Sequence, residues 1–181
     1  MSRIASLDPA SASGRAAELL AATEKQLGRV PNLYRSMAQA PAALDGYLAF
    51  RAALVRGVLS TRLKEQVALL VAALNNCDYC VAAHTFRGGK IGMAPHDLAL
   101  TQLARAFNPA DQAALEFVRA LVERQGRISD ADFAAVKDAG WDDAAIGEMV
   151  GHVALNVFSN YFNHVAEPAL DFPAVVMELH A

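Results

Sequence analysis

The chain has 181 residues, of which 54% are hydrophobic and 19% charged, and its net charge is −3. This composition excludes an intrinsically disordered chain, and the slight acidic excess argues against nucleic acid or an anionic membrane as a partner. The longest uninterrupted apolar run, residues 67–74, is far shorter than the roughly 18 residues of a membrane span. We therefore expect a soluble protein that forms a single domain over residues 1–181.

The cysteine content and the N-terminal residues indicate a compartment. Two cysteines in a chain of this length cannot form the disulfide framework of a small secreted protein. The first ten residues contain no apolar stretch of the kind that a signal peptide has. We therefore expect a cytoplasmic location, where a close cysteine pair indicates redox or metal chemistry.

Apolar residues recur at spacings of three and four, and alternating strand-like runs are hard to find. This periodicity predicts an all-α protein. Ser60 and Ser129 are suitable N-caps, and Gly88, Gly89 and Gly126 are expected to end helices. The predicted helices are 12–27, 41–57, 61–75, 78–88, 95–105, 109–125, 129–138 and 142–166.

A weak internal similarity relates the predicted helix 61–75 to the predicted helix 142–166. Among the paired positions at a shift of 83 residues are Glu65 and Glu148, Cys77 and Asn160, and Cys80 and Asn163. The helices that precede them, 41–57 and 109–125, resemble each other at a different shift of 68. The pattern indicates either an internal duplication whose second half lacks cysteines or a similarity of composition between apolar helices.

The segment around the two cysteines is the most informative in the chain. Cys77, Cys80 and His84 lie at spacings of three and four, which place them on one face of a helix. If that helix starts near Cys77, both sulfurs lie in its first turn, where unpaired N–H groups and the positive dipole end favour thiolate. The sulfur nearest His84 would then be the more reactive nucleophile. The alternatives are two buried structural cysteines, or a zinc site with three of its four ligands.

Three further groups of polar residues are candidates for the same site. Glu65 lies one turn into a helix that is apolar on all sides between residues 67 and 74, so its carboxylate either reaches solvent or is held inside with a raised pKa suited to proton transfer. Tyr79 is either a hydrogen-bonding group beside a sulfur or a packing residue. A polar stripe on the predicted helix 142–166 forms either a wall of the site or hydrogen bonds between helices. The stripe consists of His152, Asn156, Asn160 and Asn163.

The order Glu65, Cys77, Cys80 and His84, with these spacings, resembles the active-site signature of the alkylhydroperoxidase-D-like proteins in the carboxymuconolactone decarboxylase superfamily. The resemblance covers nearly the whole chain, from residue 30 to residue 173. Further segments resemble the peroxidase-related branch of that superfamily, namely 30–35, 59–60 and 161–166.

The resemblance implies an all-α helical bundle of the alkylhydroperoxidase-D-like type, with its motif core at 60–90, in a homo-oligomer of two to six copies. It implies that Cys80 attacks a small-molecule hydroperoxide and that Cys77 resolves the sulfenic acid as a redox-active Cys77–Cys80 disulfide. It also implies that His84 and Glu65 belong to the relay that deprotonates Cys80, with Glu65 acting through Cys77 or a water. No bound cofactor or metal is expected, and the implied reductant is a dihydrolipoyl group on a lipoylated partner protein.

One position departs from the superfamily's best-studied pattern, in which a histidine precedes the second cysteine. Here that residue is Tyr79, whose pKa near 10 prevents it from exchanging protons at pH 7 as imidazole does. Our leading hypothesis is a dithiol peroxidase for antioxidant defence. The alternatives are a general thiol–disulfide oxidoreductase, against which the lack of a βαβ pattern counts, and a non-catalytic redox-sensing module. The cysteine pair disfavours decarboxylation of a lactone.

Overall fold

A computed structural model describes residues 2–178, and this range contains nine α-helices and no strand. The prediction of an all-α protein is confirmed. The helices are α1 (Gly14–Leu27), α2 (Asn32–Met37), α3 (Pro41–Val55), α4 (Thr61–Leu74), α5 (Asp78–Lys90), α6 (Pro95–Gln102), α7 (Pro109–Glu123), α8 (Asp130–Asp138) and α9 (Asp143–Ala166). Across the described part of the chain, no helix is both long enough and apolar enough to cross a membrane.

The helices form two compact units. The first comprises the residues up to Ala53 together with Tyr161–Asp171, and the second comprises Leu54–Asn160 with the residues from Phe172 onward. The second unit therefore contains α4 to α8, most of α9 and the whole predicted motif core. The single domain over residues 1–181 stays a prediction.

The first unit contains an aromatic pair and hydrogen bonds to Asp171. Tyr34, which is 1% exposed, lies against Tyr47 with ring centroids 5.7 Å apart. The Asp171 carboxylate accepts a hydrogen bond from the Asn32 N–H at 3.1 Å, and the Arg29 guanidinium donates to the Asp171 carbonyl at 2.9 Å. These bonds fasten the segment after α9 to the start of α2.

In the second unit, α4 is the central helix and contacts α5, α6 and α7. Residues 67–73 of α4 are each at most 4% exposed, which agrees with their uninterrupted apolar sequence. Burial on all sides fixes the position of this helix, and with it the position of Glu65 near its start. The core around α4 includes Leu63, Val67, Leu70, Val71, Leu115, Val118, Ile146 and Met149.

Side-chain caps begin α4 and α8, as the sequence predicted. The Ser60 hydroxyl accepts a hydrogen bond from the Leu63 N–H at 3.1 Å. The Ser129 hydroxyl accepts from the Asp132 N–H at 3.1 Å, and the Asp132 carboxylate accepts from the Ser129 N–H at 3.0 Å, which completes a capping box. The cap at Ser60 stabilises the turn of α4 that leads to Glu65.

Two expectations about the helices are wrong. Helix α2 was not predicted, because its six residues are too few to show a helical apolar period. Helix α5 does not end at Gly88 and Gly89 but continues to Lys90. At Gly88 an added Cβ would lie 2.5 Å from the Leu98 Cδ2 atom. This glycine therefore permits the close approach of α6 and does not end the helix.

The internal duplication stays a prediction, and the helices show where its two halves differ. Helices α3 and α7 both begin with proline and both have 15 residues. Helix α8 lies between α7 and α9, whereas no helix lies between α3 and α4. This extra helix accounts for the two different sequence shifts. The chain also breaks between α4 and α5, whereas α9 continues without interruption past Asn160.

Candidate active site

The two cysteines lie where α4 ends and α5 begins. Asn75 and Asn76 separate the helices, and Asn76 has a φ of 54°, a left-handed conformation that asparagine adopts more readily than most residues. This turn makes Cys77 the N-cap of α5 and Asp78 its first helical residue, so that Cys80 lies in the first turn. Both sulfur-bearing residues are therefore at the positive end of the helix dipole, near N–H groups that lack intrahelical partners.

The two thiols are close together and buried. The Cys77 and Cys80 Sγ atoms are 2.7 Å apart, and no disulfide joins them. Cys77 is 2% exposed and Cys80 is 4% exposed. Burial in apolar surroundings disfavours the thiolate, whereas the helix N-terminus favours it. The short separation is what an intramolecular disulfide between these two residues requires.

Glu65 and His84 form a pair between α4 and α5. The Glu65 Oε2 atom is 2.7 Å from the His84 Nδ1 atom, and the two side chains are 21% and 12% exposed. The sequence left open whether this carboxylate reaches solvent or is held by a partner, and the structure shows a partly buried group held by the imidazole. Because an ionised carboxylate only accepts hydrogen bonds, Nδ1–H donates, and the Nε2 of a neutral ring is free to take a proton.

The structure thus brings together the four site residues that the sequence predicted. They form two contacting pairs, which lie at consecutive turns of α5. The sulfurs meet at its first turn, and the Glu65 carboxylate meets His84 one turn after Cys80. Residues four apart in a helix lie on the same face. An imidazole whose other nitrogen is fixed by a carboxylate is therefore on the same face of α5 as the Cys80 thiol.

Tyr79 lies in an aromatic cluster. Its ring is edge-on to the ring of Phe172, with centroids 5.6 Å apart, and the residue is 8% exposed. The Phe172 ring is also 5.9 Å from the Phe86 ring, and the Arg87 guanidinium lies 5.9 Å from its centroid. These contacts favour the packing interpretation of Tyr79. Sequence reasoning missed Phe172, because nothing near it in the chain indicates which helix it contacts.

Polar side chains of α9 are bonded to both ends of α4. The Glu148 Oε2 atom accepts a hydrogen bond from the Leu59 N–H at 2.8 Å, and the Glu148 Oε1 atom is 3.9 Å from the Lys64 Nζ. The Asn75 side-chain amide donates to the Asn160 Oδ1 atom at 2.9 Å. Part of the polar stripe therefore forms hydrogen bonds between helices, which is one of its two expected roles.

Between these two anchors lie His152 and Asn156, both buried. The Asn156 side-chain amide donates to the His152 carbonyl at 2.8 Å. Burial lowers the pKa of the His152 imidazole, and the nearby Glu148 carboxylate partly opposes this shift. Asn163 is buried as well but belongs to the first unit, and its role in the site stays a prediction.

The described residues offer no cluster for a metal ion. Nowhere between residues 2 and 178 do three or more histidine, cysteine, aspartate or glutamate side chains group as metal ligands. A structural zinc site requires four such ligands. The zinc interpretation of the cysteines therefore gains no support from the structure.

Comparison with known proteins identifies a family for part of the chain and a fold for nearly all of it. Residues 41–123 match the carboxymuconolactone decarboxylase family. A search of curated proteins finds no match.

The chain is similar to several solved structures. One is the alkylhydroperoxidase AhpD core of an uncharacterised peroxidase-related protein from Ralstonia eutropha JMP134, with 22% identity and a TM-score of 0.82, over 94% of this chain and 92% of that chain. A peroxidase-related protein from Silicibacter sp. TM1040 has 19% identity and a TM-score of 0.78, over 92% of both chains. The debrominase Bmp8, in complex with 2,3,4-tribromopyrrole, has 17% identity and a TM-score of 0.79, over 93% of this chain and 91% of that chain. Identities this low show a shared fold.

Proposed function

We propose that the chain is a dithiol peroxidase of the alkylhydroperoxidase-D-like type that reduces organic hydroperoxides, because residues 41–123 match the carboxymuconolactone decarboxylase family and the chain shares its fold with an alkylhydroperoxidase AhpD core. The observation that carries this proposal is the pair of buried thiols, Cys77 and Cys80, 2.7 Å apart and one turn before an imidazole bonded to Glu65. A peroxidase of this kind needs a thiolate, a group that takes the thiol proton, and a second thiol that resolves the oxidised sulfur.

The first step oxidises Cys80. The Nε2 atom of His84 takes the thiol proton, while the Glu65 carboxylate holds the Nδ1–H and stabilises the imidazolium. The thiolate then attacks the terminal oxygen of the hydroperoxide, the O–O bond breaks, and Cys80 becomes a sulfenic acid. The alkoxide that leaves takes a proton and departs as an alcohol.

The second step forms the disulfide. The Cys77 sulfur attacks the sulfenic sulfur of Cys80, an S–S bond forms, and the hydroxyl leaves as water with a proton. One hydroperoxide has then been reduced by two electrons, and the cysteine pair has been oxidised by two. An external dithiol of the lipoyl type, carried by a partner protein, would return the pair to its reduced form by thiol–disulfide exchange.

We also propose that the protein forms a homo-oligomer. Several large apolar side chains of the second unit are at least 40% exposed, among them Val55, Val58, Val150 and Phe158. Exposed apolar groups of this kind are typical of subunit interfaces. Light scattering coupled to gel filtration should give a mass of two to six chains, and a monomer at micromolar concentration would contradict the proposal.

The decisive experiment is a stopped-flow reaction of the reduced protein with cumene hydroperoxide, followed by mass spectrometry. The expected result is consumption of one hydroperoxide per chain and loss of two hydrogens as a Cys77–Cys80 disulfide forms. The Cys77→Ser variant should stop at a sulfenic acid that dimedone traps, whereas Cys80→Ser should not react. Oxidation no faster than that of a free thiol would overturn the proposal.

The debrominase with the same fold supplies a competing class of substrate. Incubation of the reduced protein with 2,3,4-tribromopyrrole provides the comparison, with bromide release as the readout. The same disulfide would form, but the two electrons would replace a C–Br bond with a C–H bond. Stoichiometric bromide release without a fast hydroperoxide reaction would assign the chain to reductive debromination.

A further inference from the structure

A second imidazole lies near the Glu65–His84 pair, on a third helix. His152 of α9 is 6% exposed, and its Nε2 atom is buried with no hydrogen-bond partner among the described residues. Leaving a buried polar atom without a partner costs about 1–3 kcal/mol. An apolar side chain at this position would avoid that cost, so the histidine calls for a role other than stability.

The hydrogen bonds between α9 and α4 show which turn of α4 corresponds to the position of His152 along α9. Glu148 is bonded beside the start of α4, and Asn160 is bonded at its end, so the two helices run side by side in the same direction. His152 is four residues beyond Glu148, which is about 6 Å along α9 and one third of the way to Asn160. One third of the way along α4 lies the turn that carries Lys64 and Glu65.

The charged and titratable groups that act on His152 come from all three helices. Lys64 and Glu65 belong to α4, His84 to α5, and Glu148 to α9 itself. Burial lowers the pKa of His152 most strongly, the two carboxylates raise it, and the two cationic groups lower it further. Burial, the largest of these effects, therefore favours the neutral form of the ring.

We propose that His152 is a positioning residue of the dithiol site that acts on Cys80 through the Glu65–His84 pair, an inference that rests on the proposed function. A neutral His152 leaves the Glu65 carboxylate to His84, and His84 remains the base on the Cys80 face of α5. A protonated His152 brings a second positive charge near that carboxylate and competes with His84 for it. The Glu65 carboxylate then holds His84 less firmly on the Cys80 face of α5, and Cys80 becomes less reactive in acid.

The coupling is measurable without any reaction, by NMR titration of the His152 Cε1–H signal in the reduced protein. Because the Glu65 carboxylate raises the pKa of His152, Glu65→Gln should lower that pKa by about 0.4–1.5 pH units, the equivalent of a coupling of about 0.5–2 kcal/mol. The matched control is Asp97→Asn, which removes a carboxylate that does not act on His152. An unchanged His152 titration in Glu65→Gln would overturn the inference.

The consequence for Cys80 is measurable with iodoacetamide, which alkylates thiolates and needs no peroxide. In a Cys77→Ser background, His152→Gln should remove one of two ionisations from the acid limb of the pH profile. His96→Gln, which removes an exposed imidazole, should leave both ionisations in place. So should Asn156→Ala, which perturbs the same buried stripe. A profile that His152→Gln does not change would overturn the inference.

These measurements separate the inference from the proposed function. If cumene hydroperoxide does not oxidise the reduced wild-type protein while His152 remains coupled to Glu65 and Cys80, the peroxidase proposal fails and the positioning role stands. If His152→Gln does not fold, the NMR titration of the Glu65→Gln variant still decides, because that variant retains His152.

Discussion

At the scale of single residues, the Glu65–His84 contact leads to the most direct prediction about the chemistry of the site. Replacing Glu65 by glutamine keeps the size of the side chain but removes the charge that stabilises the imidazolium. A hydrogen bond to a charged group contributes about 1.5–3 kcal/mol, so the rate of Cys80 oxidation by cumene hydroperoxide should fall about tenfold to a hundredfold. The control is Glu24→Gln, at an exposed acid of α1. Equal rates in the two variants would remove Glu65 from the relay.

Gly57 leaves room for the buried carboxylate of Glu148. An added Cβ at Gly57 would lie 1.3 Å from the Glu148 Oε1 atom. Gly57→Ala should therefore displace the carboxylate from the Leu59 N–H and lower the free energy of unfolding by about 1–3 kcal/mol. At Gly147 of α9 a Cβ meets no atom within 4 Å, and Gly147→Ala should raise stability by about 0.5–1 kcal/mol. Urea unfolding of both variants tests the difference in sign.

At the scale of helices, two serine caps provide a matched comparison. Ser60→Ala and Ser129→Ala should each lower the free energy of unfolding by about 0.5–2 kcal/mol, because each removes an N-cap hydrogen bond. Only the loss of Ser60 loosens the turn that leads to Glu65. The rate of hydroperoxide reduction should therefore fall in Ser60→Ala and stay unchanged in Ser129→Ala. Equal activities in the two variants would show that the cap does not position Glu65.

The helices show what a sequence can predict about this fold. Apolar spacing is a local property, so it located α1 and α3 to α9 and predicted that both cysteines lie at the start of α5. The spacing of Cys77, Cys80 and His84 placed them on one face for the same reason. The aromatic contact of Phe172 with Tyr79 and the bond from Glu148 to Leu59 join distant parts of the chain. Such contacts depend on how the helices pack, which no local period encodes.

At the scale of the whole molecule, the segment after α9 returns to the helix that carries the cysteines. Phe172 contacts Tyr79 and Phe86, and each aromatic pair contributes about 0.5–1.5 kcal/mol beyond area burial. Phe172→Ala should therefore lower the free energy of unfolding by about 1–3 kcal/mol. Val176→Ala, at a side chain that is 75% exposed, should not change stability. Equal unfolding curves for the two variants would show that the segment does not stabilise α5.

The stability of the molecule should depend on pH through His152. Burial lowers the pKa of this imidazole in the folded chain, whereas the unfolded chain retains the ordinary value of 6.5. Below that value the unfolded state binds more protons than the folded state, so stability falls as the pH decreases from about 6.5 towards the folded pKa. The pKa values of Asp97, beside Arg62, and Asp132, bonded to Ser129, are lowered as well. The stability that these two carboxylates contribute is lost only as the pH falls through 3.8, the usual pKa of aspartate.

The window between pH 7 and pH 5 therefore isolates the histidine from these aspartates. In urea unfolding, the wild-type protein should lose more stability over this window than His152→Gln, whose side chain does not titrate. The exposed His96 again supplies the control, because His96→Gln should follow the wild-type dependence. Parallel stability curves for wild type and His152→Gln would show that protonation of His152 does not favour the unfolded chain. They would also show that solvent screens the charged groups around this imidazole in acid.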